Sequence, residues 1–210
     1  MWIACALLLI AYLLGSLSGS LLLGKLRGVD IRTVGSGNAG GTNALRTQGF
    51  KFALGTVVVD VGKGALAAWL AWRLLPAVLQ PAGLYACVLA AVAGHVWPLF
   101  HGFRGGKGAA TLIGGLLVAW PQAVLPMLAV WLLSLMWGGY VGLSTILAAV
   151  SLVFIALVTG ADFWHLGFAI IAATFLTFTH RGNLARLRAG NEPRSERLRV
   201  LGRLFARKAG

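Results

Sequence analysis

Residues 140–159, YVGLSTILAAVSLVFIALVT, form an apolar segment without a charged side chain. A helix needs roughly 17 to 25 such residues to cross a bilayer. Hydrophobic residues make up 59% of the chain, whereas soluble domains average about 45–50%. The sequence therefore predicts an all-α integral membrane protein, a bundle of about seven transmembrane helices. The candidate spans are 2–23, 53–75, 82–100, 109–119, 122–137, 140–159 and 163–180. The segment 109–119 is short for a full crossing, and a re-entrant segment is the alternative.

Basic residues are concentrated in alternate connections between these spans. A net charge of +13 would indicate nucleic-acid binding in a soluble protein, but in a membrane protein it serves topology and attraction to anionic lipid. Lysine and arginine occupy the connections 24–52 and 101–108 and the tail 181–210. The connections without them are 76–81, 120–121, 138–139 and 160–162. The positive-inside rule then predicts an outside N-terminus and a cytoplasmic C-terminus. We expect one membrane domain, 1–210, with a basic tail.

The first connection contains the glycine-rich stretch GSGNAGGTNALR at 35–46. It includes the pattern G-x-G-x-x-G, but a dinucleotide site needs a soluble βαβ unit and an acidic residue about 20 positions on. The acid at that spacing, Asp60, lies inside a predicted span. Glycines also let backbone N–H groups turn inward around an anion, and this stretch ends in Arg46. The donors beside them are Ser36, Asn38, Thr42 and Asn43. We favour an anion-binding loop over the alternative, a flexible surface turn.

The third connection contains FRGGKG at 103–108, directly before small residues that can start a helix. It resembles half of a P-loop, in which backbone N–H groups and a lysine hold phosphate. A complete Walker motif would need Gly at 101 and Ser or Thr at 108, where this chain has His101 and Gly108. Phosphate binding in general is still favoured, with Lys107 as the cation. The alternative is that Arg104 and Lys107 only anchor the loop on the cytoplasmic side.

Ionisable residues also lie inside or at the end of two spans. Asp60 and Lys63 are three positions apart in the second span, so they share a helix face and can pair. A functional role and a structural ion pair are equally open for them. The last span closes on HRGNLAR at 180–186, which sets His180 and Asn183 among arginines. A histidine here can act as a base or as a hydrogen-bond donor to phosphate. A histidine at the membrane boundary, however, is more often only interfacial.

Several familiar catalytic devices are missing from the sequence. The serine-hydrolase elbow G-x-S-x-G does not occur, since Ser144 has Gly142 before it but Ile146 after it. No histidine is followed five positions later by the aspartate of soluble-headed acyltransferases. Cysteine, histidine and carboxylate side chains do not cluster at metal-ligand spacing, and the chain has only five acidic residues. We expect no metal and no cofactor.

Four blocks of sequence carry a resemblance to a known family. They are GSGNAGGTNALRTQG at 35–49, VDVGKG at 59–64, HVWPLFHGFRGGKGAAT at 95–111 and THRGNLARLRAGNE at 179–192. Together, and in this order, they resemble the bacterial acyl-phosphate:glycerol-3-phosphate acyltransferase family, PlsY, over nearly the whole chain. Arg104, where the family usually has lysine, and Thr145, where a small serine is common, are mild departures.

The resemblance implies a seven-helix, multi-pass enzyme of the bacterial inner membrane with its active site facing the cytoplasm. Such an enzyme moves a fatty acyl group from acyl phosphate to the sn-1 hydroxyl of glycerol 3-phosphate, giving lysophosphatidate and phosphate for phospholipid biosynthesis. Carried over by motif, the active-site residues are Ser36, Arg46, Lys107, Ser144, His180 and Asn183. The phosphate-binding residues are Gly37, Asn38, Gly40, Thr42, Asn43, Gly105 and Gly106. The implied partners are the two substrates and membrane lipids, with no nucleic acid and no obligate protein partner.

The residue pattern agrees with this chemistry. Acyl phosphate is a mixed anhydride with a good leaving group, so orientation and charge stabilisation can replace a covalent nucleophile. The proton of the attacking hydroxyl can go to His180 or to a phosphate oxygen of the substrate, and the sequence leaves both open. Two other functions also stay open. One is a transporter of a phosphorylated solute, which would also use basic loops and charged spans. The other is a scaffold that binds anionic lipid through the basic tail.

Overall fold

The computed structural model describes residues 2–208, which form eleven α-helices and divide into two compact units after Pro121. Unit 1 contains α1 (Trp2–Gly15), α2 (Gly19–Leu26), α3 (Gly41–Gln48), α4 (Phe50–Leu74), α5 (Gln80–Val96) and α6 (Ala109–Ala119). Unit 2 follows with α7 (Pro121–Gly138), which starts at the boundary, α8 (Val141–Val158), α9 (Phe163–Thr179), α10 (Arg181–Arg188) and α11 (Val200–Lys208). The single domain expected from the sequence stays a prediction.

Several of these helices are long and apolar enough to cross a membrane. Within residues 2–208, four segments qualify: Phe50–Leu74, Ala77–His101, Pro121–Gly138 and Val141–Val158. Two bent helix pairs also qualify, α1 with α2 (46°) and α9 with α10 (57°). The predicted span 109–119 is α6, whose 11 residues are too few to cross about 30 Å of hydrocarbon as a straight helix. The all-α class is confirmed, whereas seven spans and the orientation of the termini stay predictions.

The first predicted span is broken at Ser16–Ser18, which its apolar sequence does not indicate. A break inside a bilayer leaves backbone groups that lipid cannot hydrogen-bond. Here the Asp60 carboxylate accepts a hydrogen bond from the Gly19 N–H (3.1 Å), and the Lys63 ammonium donates to the Leu17 carbonyl (3.0 Å). The two ionisable residues of the second span therefore satisfy the break in the first.

Glycine allows the closest helix contacts of unit 1. A Cβ on Gly64 of α4 would collide with the backbone of Thr111 on α6, and a Cβ on Gly94 of α5 would collide with the backbone of Tyr12 on α1. Small residues are the usual means by which membrane helices approach closely. Because α4 holds α6 and α1 holds α5, the connection between α5 and α6, which contains FRGGKG, starts and ends at fixed points.

In unit 2, α8 packs on α9 through small residues. Ala149 and Ala156 of α8 and Ala169 and Ala172 of α9 are each at most 1% exposed. The outer faces of the same helices carry large apolar side chains in the open, such as Val158 at 87% exposure, and further examples are Phe154, Leu157, Ile170 and Ile171. A water-soluble domain rarely exposes so large an apolar surface, whereas lipid is a suitable solvent for it.

Candidate active site

The glycine-rich loop of unit 1 is braced from inside by one asparagine. We call residues 34–43 the Ser36 loop. Asn43, 2% exposed, donates from Nδ2 to the carbonyls of Ile31 (3.1 Å) and Val34 (3.0 Å), and its Oδ1 accepts from the Ser36 N–H (2.9 Å). Gly35 has a φ of +60°, and a Cβ there would collide with the Asn43 amide. The Asn43 side-chain donors thus bond to the backbone and stabilise the shape of the loop.

The Ser36 loop also has a hydrophobic core beneath it. Ile31, Ala39 and Ala44 are fully buried, and Phe52 of α4 is 3% exposed in the same cluster. A loop packed on buried side chains has few conformations to choose from. The structure therefore disfavours the alternative of a flexible surface turn.

The predicted phosphate ligands of the Ser36 loop differ in accessibility. Ser36, Gly37, Thr42 and Arg46 are exposed, and Asn38 and Gly40 are half-buried. The Gly37 and Gly40 N–H groups donate within the loop, to the carbonyls of Val34 (3.1 Å) and Asn38 (3.0 Å). Side chains that solute can reach are thus mounted on a rigid backbone, which is the arrangement that anion binding requires.

The second predicted phosphate segment folds back on the end of α5. We call residues 102–108 the Lys107 loop. The Gly105 N–H donates to the Val96 carbonyl and the Gly106 N–H to the His95 carbonyl, both at 3.1 Å. These two N–H groups are therefore already bonded to α5, and the glycines allow the loop backbone to approach the end of that helix closely. Lys107 is half-buried. Its ammonium group and the backbone N–H groups at the start of α6, which follows the loop, are best suited to meet a phosphate.

Arg32, two residues before the Ser36 loop, bonds to the start of the Lys107 loop and to the residue just before that loop. Its guanidinium donates from Nη1 to the carbonyls of His101 (2.8 Å) and Arg104 (3.3 Å), and Nη2 lies 2.8 Å from an Asp30 carboxylate oxygen. Hydrogen bonds from the Arg32 side chain and backbone lower the pKa of Asp30 from 3.8 to about 2. From the sequence, Arg32 is recognisable only as a topology-setting charge, because its partners lie about 70 positions away.

His180 and Ser144 of unit 2 are buried, His180 between α9 and α10 and Ser144 within α8. His180, 5% exposed, follows the last residue of α9, and its Nδ1 lies 2.8 Å from the Leu176 carbonyl. A carbonyl can only accept, so Nδ1 carries the proton and Nε2 holds the lone pair of the neutral ring. Ser144, 1% exposed on α8, donates to the Tyr140 carbonyl (3.0 Å). The structure thus gives His180 a tautomer that can accept a proton at Nε2.

Glu192 fixes the position of Asn183. Its Oε1 accepts from Asn183 Nδ2 (2.5 Å), and its Oε2 lies 2.7 Å from Arg186 Nε. The Glu192 side chain is only 6% exposed. The Asn183 amide packs against Gly142, where a Cβ would lie 2.6 Å from Nδ2. The Glu192 carboxylate, itself bound by Arg186, therefore holds this amide, and the lack of a side chain at Gly142 leaves room for it.

Each unit contributes three of the six predicted active-site residues. Ser36, Arg46 and Lys107 belong to unit 1, and Ser144, His180 and Asn183 belong to unit 2. From the sequence, Arg32 is expected only to set topology and His95 only to pack, and Glu192 is given no role of its own. One signal could have found part of this set: with five acidic residues in the chain, each acid was a candidate for a specific basic or polar partner. Within residues 2–208 no three histidine, cysteine or carboxylate side chains are grouped to hold a metal.

Comparison with known proteins identifies the family. The family model described as Glycerol-3-phosphate acyltransferase matches residues 5–190. The glycerol-3-phosphate acyltransferase of Synechococcus sp. (strain CC9902) is 41% identical over 192 residues, covering 90% of this chain and 93% of the relative. That of Aquifex aeolicus (strain VF5) is 38% identical over 196 residues, covering 91% and 98%.

Solved structures agree with this assignment. A crystal structure of PlsY (YgiH), an integral membrane glycerol 3-phosphate acyltransferase, in its glycerol 3-phosphate form matches with a TM-score of 0.86 and 38% identity over 94% of this chain and 98% of that one. Its lysophosphatidic acid form matches with a TM-score of 0.85 and 36% identity over the same shares. The chain belongs to the glycerol-3-phosphate acyltransferase family of integral membrane enzymes. The transporter reading is not supported.

Proposed function

We propose that this member of the family transfers a fatty acyl group from acyl phosphate to the sn-1 hydroxyl of glycerol 3-phosphate, giving lysophosphatidate and inorganic phosphate. The observation that carries the proposal is the pair of loops in unit 1, two glycine-rich segments held rigidly together with Arg46 and Lys107 beside them. Two phosphorylated substrates require such a concentration of cations and donors. Relatives solved with glycerol 3-phosphate and with lysophosphatidic acid support the acceptor and the product.

The reaction needs no covalent intermediate. The acceptor hydroxyl oxygen attacks the carbonyl carbon of the acyl phosphate, the bond from that carbon to the phosphate oxygen breaks, and inorganic phosphate leaves. Positioning of two reactants and stabilisation of the developing negative charge supply the rate enhancement. Ser36, Arg46 and Lys107 hold phosphate groups in this scheme, and Ser144, His180 and Asn183 complete the catalytic set.

The hydroxyl proton has two possible acceptors. His180 has its lone pair on Nε2, as its bond to Leu176 requires, which makes it a competent base. A phosphate oxygen of the substrate is the other acceptor. General-base catalysis by either group would contribute about 10² to 10⁴ in rate.

We place the enzyme in the bacterial inner membrane, with seven spans, an outside N-terminus and a cytoplasmic C-terminus and active site. The basic connections 24–52 and 101–108 and the tail after 180 support this orientation through the positive-inside rule. A membrane site also suits the donor, because its long acyl chain needs an apolar environment.

The test is an assay of purified protein with a long-chain acyl phosphate and glycerol 3-phosphate. We expect lysophosphatidate and inorganic phosphate in a 1:1 ratio. The same acyl chain presented as a coenzyme A thioester is the control donor and should give no product. Release of phosphate without lysophosphatidate, or equal transfer from the thioester, would contradict the proposed donor.

A further inference from the structure

Asp60, Lys63 and His95 form a buried polar cluster in unit 1 that no step of the proposed reaction uses. They are 1%, 5% and 3% exposed. Lys63 Nζ lies 3.0 Å from Asp60 Oδ1 and 2.8 Å from His95 Nδ1. Ionisable groups inside a membrane protein are energetically costly, so their presence indicates a function or a tightly specified structure.

The hydrogen bonds of Lys63 define which edge of the His95 ring faces the cluster. An ammonium group has three donors and no acceptor, and the Lys63 donors go to the Leu17 carbonyl, Asp60 Oδ1 and His95 Nδ1. His95 Nδ1 also lies 3.4 Å from Asp60 Oδ1. The shorter contact, 2.8 Å to an ammonium that only donates, makes Nδ1 the acceptor, so the neutral imidazole carries its proton on Nε2. Asp60 and Lys63 face the break between α1 and α2, and the far edge of the His95 ring points elsewhere.

That far edge lies where the two loops touch. A Cβ placed on Gly106 would lie 2.6 Å from the Ala39 carbonyl oxygen of the Ser36 loop, and closer still to His95 Nε2. The His95 carbonyl also accepts from the Gly106 N–H (3.1 Å). His95 thus contacts the Lys107 loop through both its backbone and its ring, next to the Ser36 loop.

We infer that His95, held by Asp60 and Lys63, is a positioning residue that sets the separation of the Ser36 loop and the Lys107 loop and so aligns the substrate phosphate groups. The inference rests on the proposed function, in which these loops bind phosphate. A cluster that served only the helix break would need no ring extending to the loops. The two edges of the imidazole therefore have different roles: Nδ1 accepts from Lys63, and Nε2 contacts Gly106 of the Lys107 loop.

Two substitutions separate these roles. In His95→Asn the amide oxygen can replace Nδ1 as the acceptor for Lys63, but no atom extends to Gly106. In His95→Gln the longer amide reaches the position of Nε2 but does not restore the acceptor at Nδ1. Val88→Ala is the control for lost packing, because Val88 is fully buried on the same helix, two turns from His95, against Gly115.

The readouts are hydrogen–deuterium exchange of the peptides 34–43 and 102–108, the thermal midpoint, and kcat and KM for both phosphorylated substrates. We expect His95→Asn to keep its thermal midpoint, to exchange faster in both loops and to lose about 10- to 100-fold in kcat/KM, since misplacement of binding groups by about 1 Å has effects of this size. KM should rise for both substrates. We expect His95→Gln to unfold at a lower temperature yet retain most of the wild-type kcat/KM.

Unchanged exchange and unchanged kcat/KM in His95→Asn would overturn the inference, as would losses no larger than those of Val88→Ala. Should His95→Gln fail to fold, His95→Asn still decides. The exchange measurement needs no substrate. An inactive wild type would refute the proposed function, while loop exchange would still show whether His95 holds the two loops together.

Discussion

The predicted functional residues of unit 1 and those of unit 2 are held differently. In unit 1 the groups that meet solute are exposed: Ser36 lies on a loop with a rigid backbone, and Arg46 lies in α3, which follows that loop. In unit 2 His180, between α9 and α10, and Ser144, in α8, are buried, with polar atoms bonded to backbone carbonyls. Exposed cations and hydroxyls suit capture of a soluble phosphate, whereas buried, oriented groups suit the bond-making step. We infer that unit 1 mainly binds and unit 2 mainly drives the chemistry.

The largest expected effect concerns Lys107 in unit 1. Replacing Lys107 with alanine should lower kcat/KM by about 10² to 10³, because a charge that stabilises the bound and leaving phosphate is lost. The measurement is steady-state transfer from acyl phosphate. Arg104→Ala, in the same loop and equally cationic, is the matched control and should stay near wild type. Equal losses in the two variants would mean that the loop acts only through net charge.

A smaller effect is expected where the two loops touch. Gly106→Ala places a methyl group against Ala39 and His95, and such overpacking destabilises by about 1–3 kcal/mol. Activity should fall about 10- to 100-fold through displacement of the loops, as measured by transfer per folded protein. Gly62→Ala on α4, where no atom lies within 4 Å of the new methyl group, should leave both quantities unchanged. A fully active Gly106→Ala enzyme would show that the loops tolerate separation.

The position of Asn183 in unit 2 can be perturbed through Glu192. Glu192→Gln keeps an acceptor for Asn183 but removes the charge that holds Arg186, so unit 2 should lose about 1.5 to 3 kcal/mol, the range for hydrogen bonds to charged groups. Chemical unfolding in detergent measures this change. The control is Glu196→Gln, whose side chain is 57% exposed and whose removal should matter by less than about 1 kcal/mol. Equal destabilisation would mean that burial of Glu192 is unimportant.

The smallest effect is pH-dependent and belongs to the loop frame. The Arg32 hydrogen bonds hold the pKa of Asp30 at about 2, below its ordinary value of 3.8. A carboxylate with a depressed pKa stabilises the fold above its unfolded pKa and loses that contribution as pH falls toward the folded pKa. Because the side chain is 40% exposed, the contribution should be at most about 1 kcal/mol.

The check compares thermal midpoints of wild type and Asp30→Asn across pH. The difference between the two proteins should be constant above about pH 4, and should shrink as pH falls toward 2. A difference that persists undiminished at the lowest pH would show that the carboxylate charge is not what stabilises the Arg32 contacts.

The apolar segments and the glycine motifs predicted much of this molecule. Segment lengths located α4, α5, α8 and α9 to within a few residues, because bilayer thickness sets a minimum helix length. The glycine pattern located both loops, since only a restricted set of residues allows such close backbone approach. Family resemblance supplied the activity, which composition alone could not.

Long-range pairings could not be predicted. The break at Ser16–Ser18 depends on Asp60 and Lys63, more than 40 positions away, and an apolar pattern carries no record of such partners. Gly105 and Gly106 looked like phosphate donors, yet their N–H groups bond to α5, because loop closure competes with ligand for the same donors. Glu192 was visible only as one of few acids, and its pairing with Asn183 required coordinates.

The most direct test of the division between units compares glycerol 3-phosphate binding with single-turnover transfer in Lys107→Ala and His180→Asn. Asparagine at 180 can still donate to the Leu176 carbonyl, so the helix end should persist. We expect Lys107→Ala to weaken binding strongly, and His180→Asn to bind nearly as well as wild type while its turnover falls. Wild-type binding in Lys107→Ala, or lost binding with intact turnover at saturation in His180→Asn, would contradict the assignment of binding to unit 1 and chemistry to unit 2.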